Sequence, residues 1–141
     1  MTTVAWDGKT LACDSQVTVG NCRGTSVKLV SNAQGFAAAG AGSLPELAPW
    51  FRWIENGMDP DQQPTSLSES DLVIVPPRGP AIWFSGSASP MKLPRRHWAI
   101  GSGSDFALGA MAMGADARQA VKVAMKFDVY TSGRVQYRTR G

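Results

Sequence analysis

The sequence holds one histidine, His97, and two cysteines, Cys13 and Cys22, among 141 residues. That scarcity removes whole classes of chemistry. A four-ligand Cys/His zinc site cannot be assembled from one such chain. Cys13 and Cys22 lack CxxC spacing, and two cysteines in a chain of this length do not make a stapled scaffold. A Ser-His-Asp triad would have to run through His97. A lone histidine beside Trp98 at a strand start more often serves structure. Long apolar runs are missing too: none approaches the roughly 20 residues that cross a bilayer. The opening MTTVAWDGK lacks the basic-then-apolar order of a secretory signal. Together these absences lead us to expect a soluble cytoplasmic domain with no membrane partner. Charge of one sign is also sparse, at 14 Lys+Arg against 11 Asp+Glu, net +3. The nearest clusters are Lys122, Lys126, Arg134, Arg138 and Arg140, and the pair Arg95-Arg96. They read as solvated surface, not as a nucleic-acid face. A nucleotide loop is absent as well. Gly101-Ser102-Gly103-Ser104 fails GxGxxG because Phe106 stands at the last glycine position, and it is no GxxxxGK[ST] loop.

What is present is an ordinary globular composition, 43% hydrophobic and 18% charged. The length suits one domain over residues 1–141. Thr3-Val4-Ala5-Trp6 reads as a strand, Asp7-Gly8 as a hairpin turn, and residues 9–13 as the returning strand. Residues 19–26 read as a loop and 27–30 as a short strand. Residues 35–43, GFAAAGAGS, are small throughout and let something approach their backbone closely. Ser43 reads as an N-cap for a helix over 44–56, with Leu47, Trp50, Phe51 and Ile54 on its buried face and Gly57 at its end. Residues 58–70 are a polar loop. Strands are expected at 71–75, 81–84, 97–100 and 135–139, with 85–96 irregular. Helices are expected at 105–113 and 116–127, the second burying Ala120, Val121, Val123, Ala124 and Phe127. No internal repeat is visible. Antiparallel pairs with helices grouped between them predict layered α+β, not a wound parallel sheet.

Three places could hold chemistry. Thr2 follows the initiator methionine, which is normally removed before a small residue. Processing would leave a threonine bearing both a hydroxyl and an α-amine. An α-amine titrates at about 7.7–8.0, so it can serve as a base without histidine. Asp14 and Lys28 form the second place. Lys28 inside an apolar segment is either an edge-strand lysine facing water or a buried cation held by Asp14, because an unpaired buried charge is costly. The third is the Gly101–Ser104 loop, whose backbone N–H groups could meet an anion.

Taken in order, Thr2-Thr3-Val4-Ala5, Ala12-Cys13-Asp14-Ser15-Gln16-Val17-Thr18-Val19-Gly20, Val27-Lys28-Leu29, the small-residue run, Ile100-Gly101-Ser102-Gly103-Ser104 and Asp128-Val129-Tyr130-Thr131-Ser132-Gly133 resemble the proteasome β-subunit family, including bacterial HslV. The resemblance covers residues 2–57 and 71–139. It implies the four-layer αββα sandwich of the N-terminal-nucleophile hydrolases and a threonine-type endopeptidase. Thr2 would be the nucleophile, Asp14 the acidic residue and Lys28 the catalytic lysine. Ser102, Asp128 and Thr131 would be auxiliary, with Thr131 standing where relatives carry serine. Gly40, Ala41 and Gly42 would supply an oxyanion N–H. Val17, Thr18, Ser26, Ala39 and Ser43 would meet the substrate and give a pocket tolerant of apolar residues. The backbone carbonyls of Met125, Asp128 and Thr131 match a monovalent-cation site, a structural Na+; no cofactor is otherwise implied. Peptide or unfolded protein would be the substrate, a homo-oligomeric ring the assembly and an AAA+ unfoldase the partner.

The chain departs from the family pattern at three points. The oxyanion segment reads Gly-Ala-Gly where relatives have adjacent glycines. One helix, not two, is visible between residues 39 and 72, a compact form that bears on ring packing. The mechanism also requires removal of Met1. The alternative is a proteasome-fold structural or binding subunit with silent chemistry; a small basic nucleic-acid binder is a third reading.

Overall fold

The computed structural model describes residues 2–86 and 89–141; Met1, whose removal the expected mechanism requires, lies outside them. The chain folds as β1 (Thr3–Trp6), β2 (Thr10–Cys13), β3 (Gln16–Val19), β4 (Cys22–Thr25), β5 (Leu29–Ser31), β6 (Ala37–Ala41) and α1 (Leu44–Glu55). Then come a 3-10 turn at Pro60–Gln62, β7 (Asp71–Val75), β8 (Ile82–Ser85), β9 (Pro90–Lys92), β10 (Trp98–Gly101), α2 (Ser104–Ala112), α3 (Ala117–Phe127) and β11 (Gln136–Thr139). This is a mixed α/β protein with every strand pair antiparallel. No helix among the described residues is long and apolar enough to cross a membrane.

The strands make a first sheet in the order β10-β1-β2-β11, a second in the order β5-β6-β7-β8-β9, and a separate β3-β4 hairpin. The Asp7-Gly8 turn forms as its sequence predicts. Asp7 Oδ1 accepts the N–H groups of Lys9 (2.9 Å) and Thr10 (2.7 Å), and its Oδ2 accepts the Ala117 N–H (2.8 Å) at the start of α3. One aspartate thus closes a hairpin and seats a helix.

Side-chain alternation sorts each strand between two clusters. Val4, Trp6, Leu11 and Cys13 of the first sheet meet Ala37, Ala39, Ala41, Val73 and Val75 of the second. The opposite face of the first sheet presents Ala5, Ala12 and Ala99 to Ala107, Met111, Ala117, Ala120 and Val121 of α2 and α3. The opposite face of the second sheet presents Ala38, Leu72 and Ile74 to Leu47, Trp50, Phe51 and Ile54 of α1. These four α1 residues are the face the periodicity predicts.

Several expectations are corrected. Residues 19–26 are no loop, since β3 and β4 pair from Gln16↔Thr25 to Val19↔Cys22. The strand expected over 27–30 begins only at Leu29, and residues 90–92, expected to be irregular, pair with β8. Ser43 is the N-cap residue of α1, as expected, though its side chain makes no cap bond. Phe127, expected in the core, is 65% exposed and stacks on Phe106, with ring centroids 5.4 Å apart. It ends α3, where its ring meets the surface-lying Phe106 of α2 instead of a buried cluster. Val123 is half-buried. In the C-terminal basic run, Arg140 Nη1 donates to the carbonyls of Pro76 (3.0 Å) and Gly79 (2.7 Å). That guanidinium ties β11 to the β7–β8 turn.

Candidate active site

Thr2 enters β1 at one end of the first sheet, and Asp14 leaves β2 at the same end, because the hairpin register sets Val4 opposite Cys13. Lys28 arrives from the segment that opens the second sheet. All three are buried, at 1%, 0% and 3% exposure. The Lys28 ammonium donates to Thr2 Oγ1, and Thr2 Oγ1 donates to Asp14 Oδ1. Lys28 Nζ also reaches Asp14 Oδ1 at 3.0 Å and the Gln16 carbonyl at 2.6 Å. It is the one salt bridge among the described residues. Of the two sequence readings of Lys28, the water-facing edge lysine is thereby excluded. Asp14 is answered further by the N–H groups of Thr3 (3.1 Å), Gln16 (3.2 Å) and Ser132 (3.0 Å). A buried carboxylate with one cation and three backbone donors is fully satisfied.

A second polar group lies on the other side of Thr2. Ser102 Oγ donates to Asp128 Oδ2 at 2.6 Å and approaches the Thr2 carbonyl oxygen at 3.4 Å. Thr131 Oγ1 donates to the same Asp128 oxygen at 2.5 Å, and its hydroxyl lies 2.7 Å from Thr3 Oγ1. Asp128 is held below the usual carboxylate range. Partial burial is the largest single influence and pushes upward, but the Ser102 and Thr131 hydroxyls and the Tyr130 N–H together outweigh it. Gly101 lets this side close. It sits at φ 95° opposite Thr3, and any β-carbon there would collide with the Thr2 carbonyl.

Thr2 and Lys28 open onto a cavity of about 290 Å³. Gln16, Val17, Thr18 and Val19 of β3 form one wall; Gly40, Gly42, Ser43, Leu44, Pro45 and Leu47 form the other. The small-residue run explains itself here. A β-carbon on Gly40 would come within 2.7 Å of Leu47 Cδ2, and one on Gly42, at φ 128°, within 2.6 Å of Ser70 Oγ. Ala41, between them, turns its methyl into the core between the sheets.

Of the residues expected to meet substrate, Val17, Thr18 and Ser43 line this cavity. Ser26 and Ala39 do not. Ser26 borders a separate surface cleft beside β11, and Ala39 is fully buried between the sheets. Strand alternation sends Ala39 inward when Gly40 faces the cavity. Met125 lies in the last turn of α3, ahead of Asp128 and Thr131, and the Asp128 carbonyl accepts the Thr131 N–H at 3.2 Å. No cluster of His, Cys, Asp or Glu suited to a metal ion occurs among the described residues. His97 precedes β10 at the Trp6 end of the first sheet. Four strand residues at about 3.3 Å each separate it from Thr2 along β1, so no triad runs through it. Sequence reasoning passed over Gln16 as a site residue. It is 1% exposed, and its Oε1 accepts the Ser132 hydroxyl at 2.6 Å. Only its place two residues after Asp14 marks it.

Solved structures share this fold along nearly the full length. BPH of Thiobacillus denitrificans matches with a TM-score of 0.73 at 20% identity, covering 99% of this chain and 98% of that one. The same protein in complex with epoxomicin gives 0.72 at 20% identity, over 99% of each chain. Eukaryotic HslV from Trypanosoma brucei gives 0.67 at 20% identity, over 96% and 97%. The resemblance to HslV read from the residues is therefore matched by likeness of fold. No protein-family model matches the chain, and no curated protein sequence does.

Proposed function

We propose that this chain is a single HslV-like domain over residues 1–141, an αββα sandwich that hydrolyses peptide bonds with Thr2 as nucleophile once Met1 is removed. The observation that carries the reading is the buried Lys28 ammonium in contact with the Thr2 hydroxyl at the wall of an open cavity. A solvent-facing lysine would have left that hydroxyl an ordinary alcohol. Further support comes from the fold shared with a protein solved in complex with epoxomicin.

In the proposed reaction Thr2 Oγ attacks the scissile carbonyl while its own α-amine, directly or through a water, takes the hydroxyl proton. Lys28, paired with Asp14, favours the developing alkoxide. An N–H in the Gly40–Gly42 segment receives the oxyanion. The carbon–nitrogen bond breaks, the leaving amine takes the proton, and an ester to Thr2 remains. Water then hydrolyses the ester and restores the threonine. Ser102 and Asp128 orient the amine, with Thr131 holding Asp128. Val17 and Ser43 accept apolar side chains, and Thr18 and Ser43 offer backbone to an extended peptide. A monovalent cation on the carbonyls of Met125, Asp128 and Thr131 would brace the turn after α3. Ring assembly, a cytoplasmic setting and an ATP-driven unfoldase belong to the same proposal.

Intact mass tests it first, together with a β-lactone or peptide epoxyketone probe. We expect a mass lacking methionine and label on Thr2, and Thr2→Ala should fold normally without hydrolysing peptides. Full retention of Met1 in the native host, or no label on processed protein, supports a silent structural subunit instead. Peptidase activity surviving in Thr2→Ala places the nucleophile elsewhere.

A further inference from the structure

The segment that carries Lys28 is fastened by a side chain that none of the motifs contains. Leu29 opens β5, so residues 26–28 lie ahead of the strand ladder. The N–H groups of Lys28 and Leu29 donate instead to one acceptor, Gln136 Oε1, at 2.9 and 3.1 Å. Gln136 Nε2 donates in turn to the Ser26 carbonyl at 2.8 Å. The amide thus uses both acceptor lone pairs and one of its two donors on a four-residue stretch with Lys28 inside it.

Gln136 is itself held in place. It begins β11 and pairs with Cys13, the residue before Asp14. β11 is the edge of the first sheet and β5 the edge of the second, so the side chain spans the two sheets where no backbone ladder joins them. Both members of the Lys28–Asp14 pair are therefore referenced to one ladder. Asp14 follows β2 directly, and the backbone of Lys28 hangs from the β11 residue paired with β2. The ammonium end is fixed separately by Asp14, the Gln16 carbonyl and Thr2. Gln136 does not border the Thr2 cavity.

Resting on the peptidase reading above, we propose that Gln136 is a positioning residue: its amide clamps residues 26–29 and so sets the Lys28 ammonium against the Thr2 hydroxyl. A long side chain anchored at its head but loose at its backbone samples many geometries, and a displacement of about 1 Å at a reacting centre can lower turnover about a hundredfold. Substrate binding needs none of these bonds, so the effect belongs to kcat and not to KM.

The test uses Gln136→Met, which keeps the length of the side chain and removes all three bonds. Amide hydrogen exchange is measured in a Thr2→Ala background, where no turnover is needed. We expect Lys28 and Leu29 to exchange at least about tenfold faster, while Val4 and Ile100 stay protected. In the Thr2 background we expect kcat for a peptide substrate to fall at least about tenfold, with KM within about twofold. Gln136→Glu keeps the two acceptor bonds, and it should restore the protection and most of kcat. Unchanged protection of Lys28 and Leu29 in Gln136→Met overturns the clamp. Lost protection with kcat within about twofold of the parent overturns its catalytic consequence. If Gln136→Met does not fold, Gln136→Glu decides: loss of kcat with both amides still protected refutes the proposal. A parent protein that neither labels nor hydrolyses ends the peptidase reading and this role with it, yet the exchange result still judges the clamp.

Discussion

An ammonium that is 3% exposed must be answered, and Lys28 is answered by a carboxylate, a carbonyl and the hydroxyl of Thr2. Removing it leaves Asp14 charged and buried, with three backbone N–H groups and the Thr2 hydroxyl but no cation to answer it. Lys28→Met should therefore cost about 3–5 kcal/mol of stability and at least about a hundredfold in turnover. Adding Asp14→Asn should recover much of the stability and none of the turnover. Urea denaturation and peptide hydrolysis read the two effects separately; a stable, active Lys28→Met protein would refute both. Cys13 gives a second residue-scale prediction. Burial is the main reason its thiol is pushed up to about 12, helped by the Asp14 charge and opposed by Lys28. The unfolded thiol releases its proton near 9.0, whereas the folded one keeps it. Stability should be unaffected by this group below pH 9 and fall as pH rises from about 9 towards 12. Near pH 8 a disulfide reagent should titrate Cys22 alone, which is exposed, and a second thiol only after unfolding. Two rapid equivalents from folded protein would show that Cys13 is not enclosed.

Elements differ in how plainly the sequence announces them. α1 is readable because its apolar residues recur at helical spacing, and its buried face is the expected one; β7 is readable as an unbroken apolar run, Leu72 to Val75, buried on both faces. The β3–β4 hairpin was not readable. β4 is exposed at every position, so it has no alternation to detect, and pairing alone makes it a strand. β6 failed for another reason. Its sequence, Ala-Ala-Ala-Gly-Ala, has little β preference, and it is a strand because β5 and β7 flank it on both sides. Of the site, Thr2, Asp14 and Lys28 were legible through the order of motifs. Gln16 and Gln136 were not, since a glutamine that bonds buried backbone looks in sequence like any surface glutamine. α3 begins on a capping box that its sequence carries. Asp116 accepts the Gln119 N–H at 2.8 Å, and Gln119 Oε1 accepts the Asp116 N–H at 2.9 Å. Asp116→Ala should cost about 1 kcal/mol, seen as a lower urea midpoint with an unchanged slope. No change would mean that the Asp7 bond to Ala117 seats the helix unaided.

At the scale of the whole molecule the candidate site belongs to neither sheet alone. Thr2, Asp14 and Ser102 come from the ends of first-sheet strands, while Lys28 and residues 40–43 come from the second. Their separation is set by what fills the space between the sheets, and opposite the Thr2 strand that filling is a row of alanines, Ala37, Ala39 and Ala41. Small side chains allow a close approach, so enlarging one should act as a wedge. Ala39→Val adds two methyl groups where no room exists and should cost about 1–3 kcal/mol. The Lys28 and Thr2 groups would move apart, and kcat should fall while the ranking of peptide substrates stays the same. Val17→Ala provides the contrast. Val17 lines the cavity without sitting in the core between the sheets, so its truncation should favour bulkier residues at the cleavage position with little loss of stability. Urea denaturation and a small panel of peptides varied at that position distinguish the two effects. If Ala39→Val instead changed substrate preference at constant stability, Ala39 would have to reach the cavity, and the inward placement of its side chain between the sheets would be wrong.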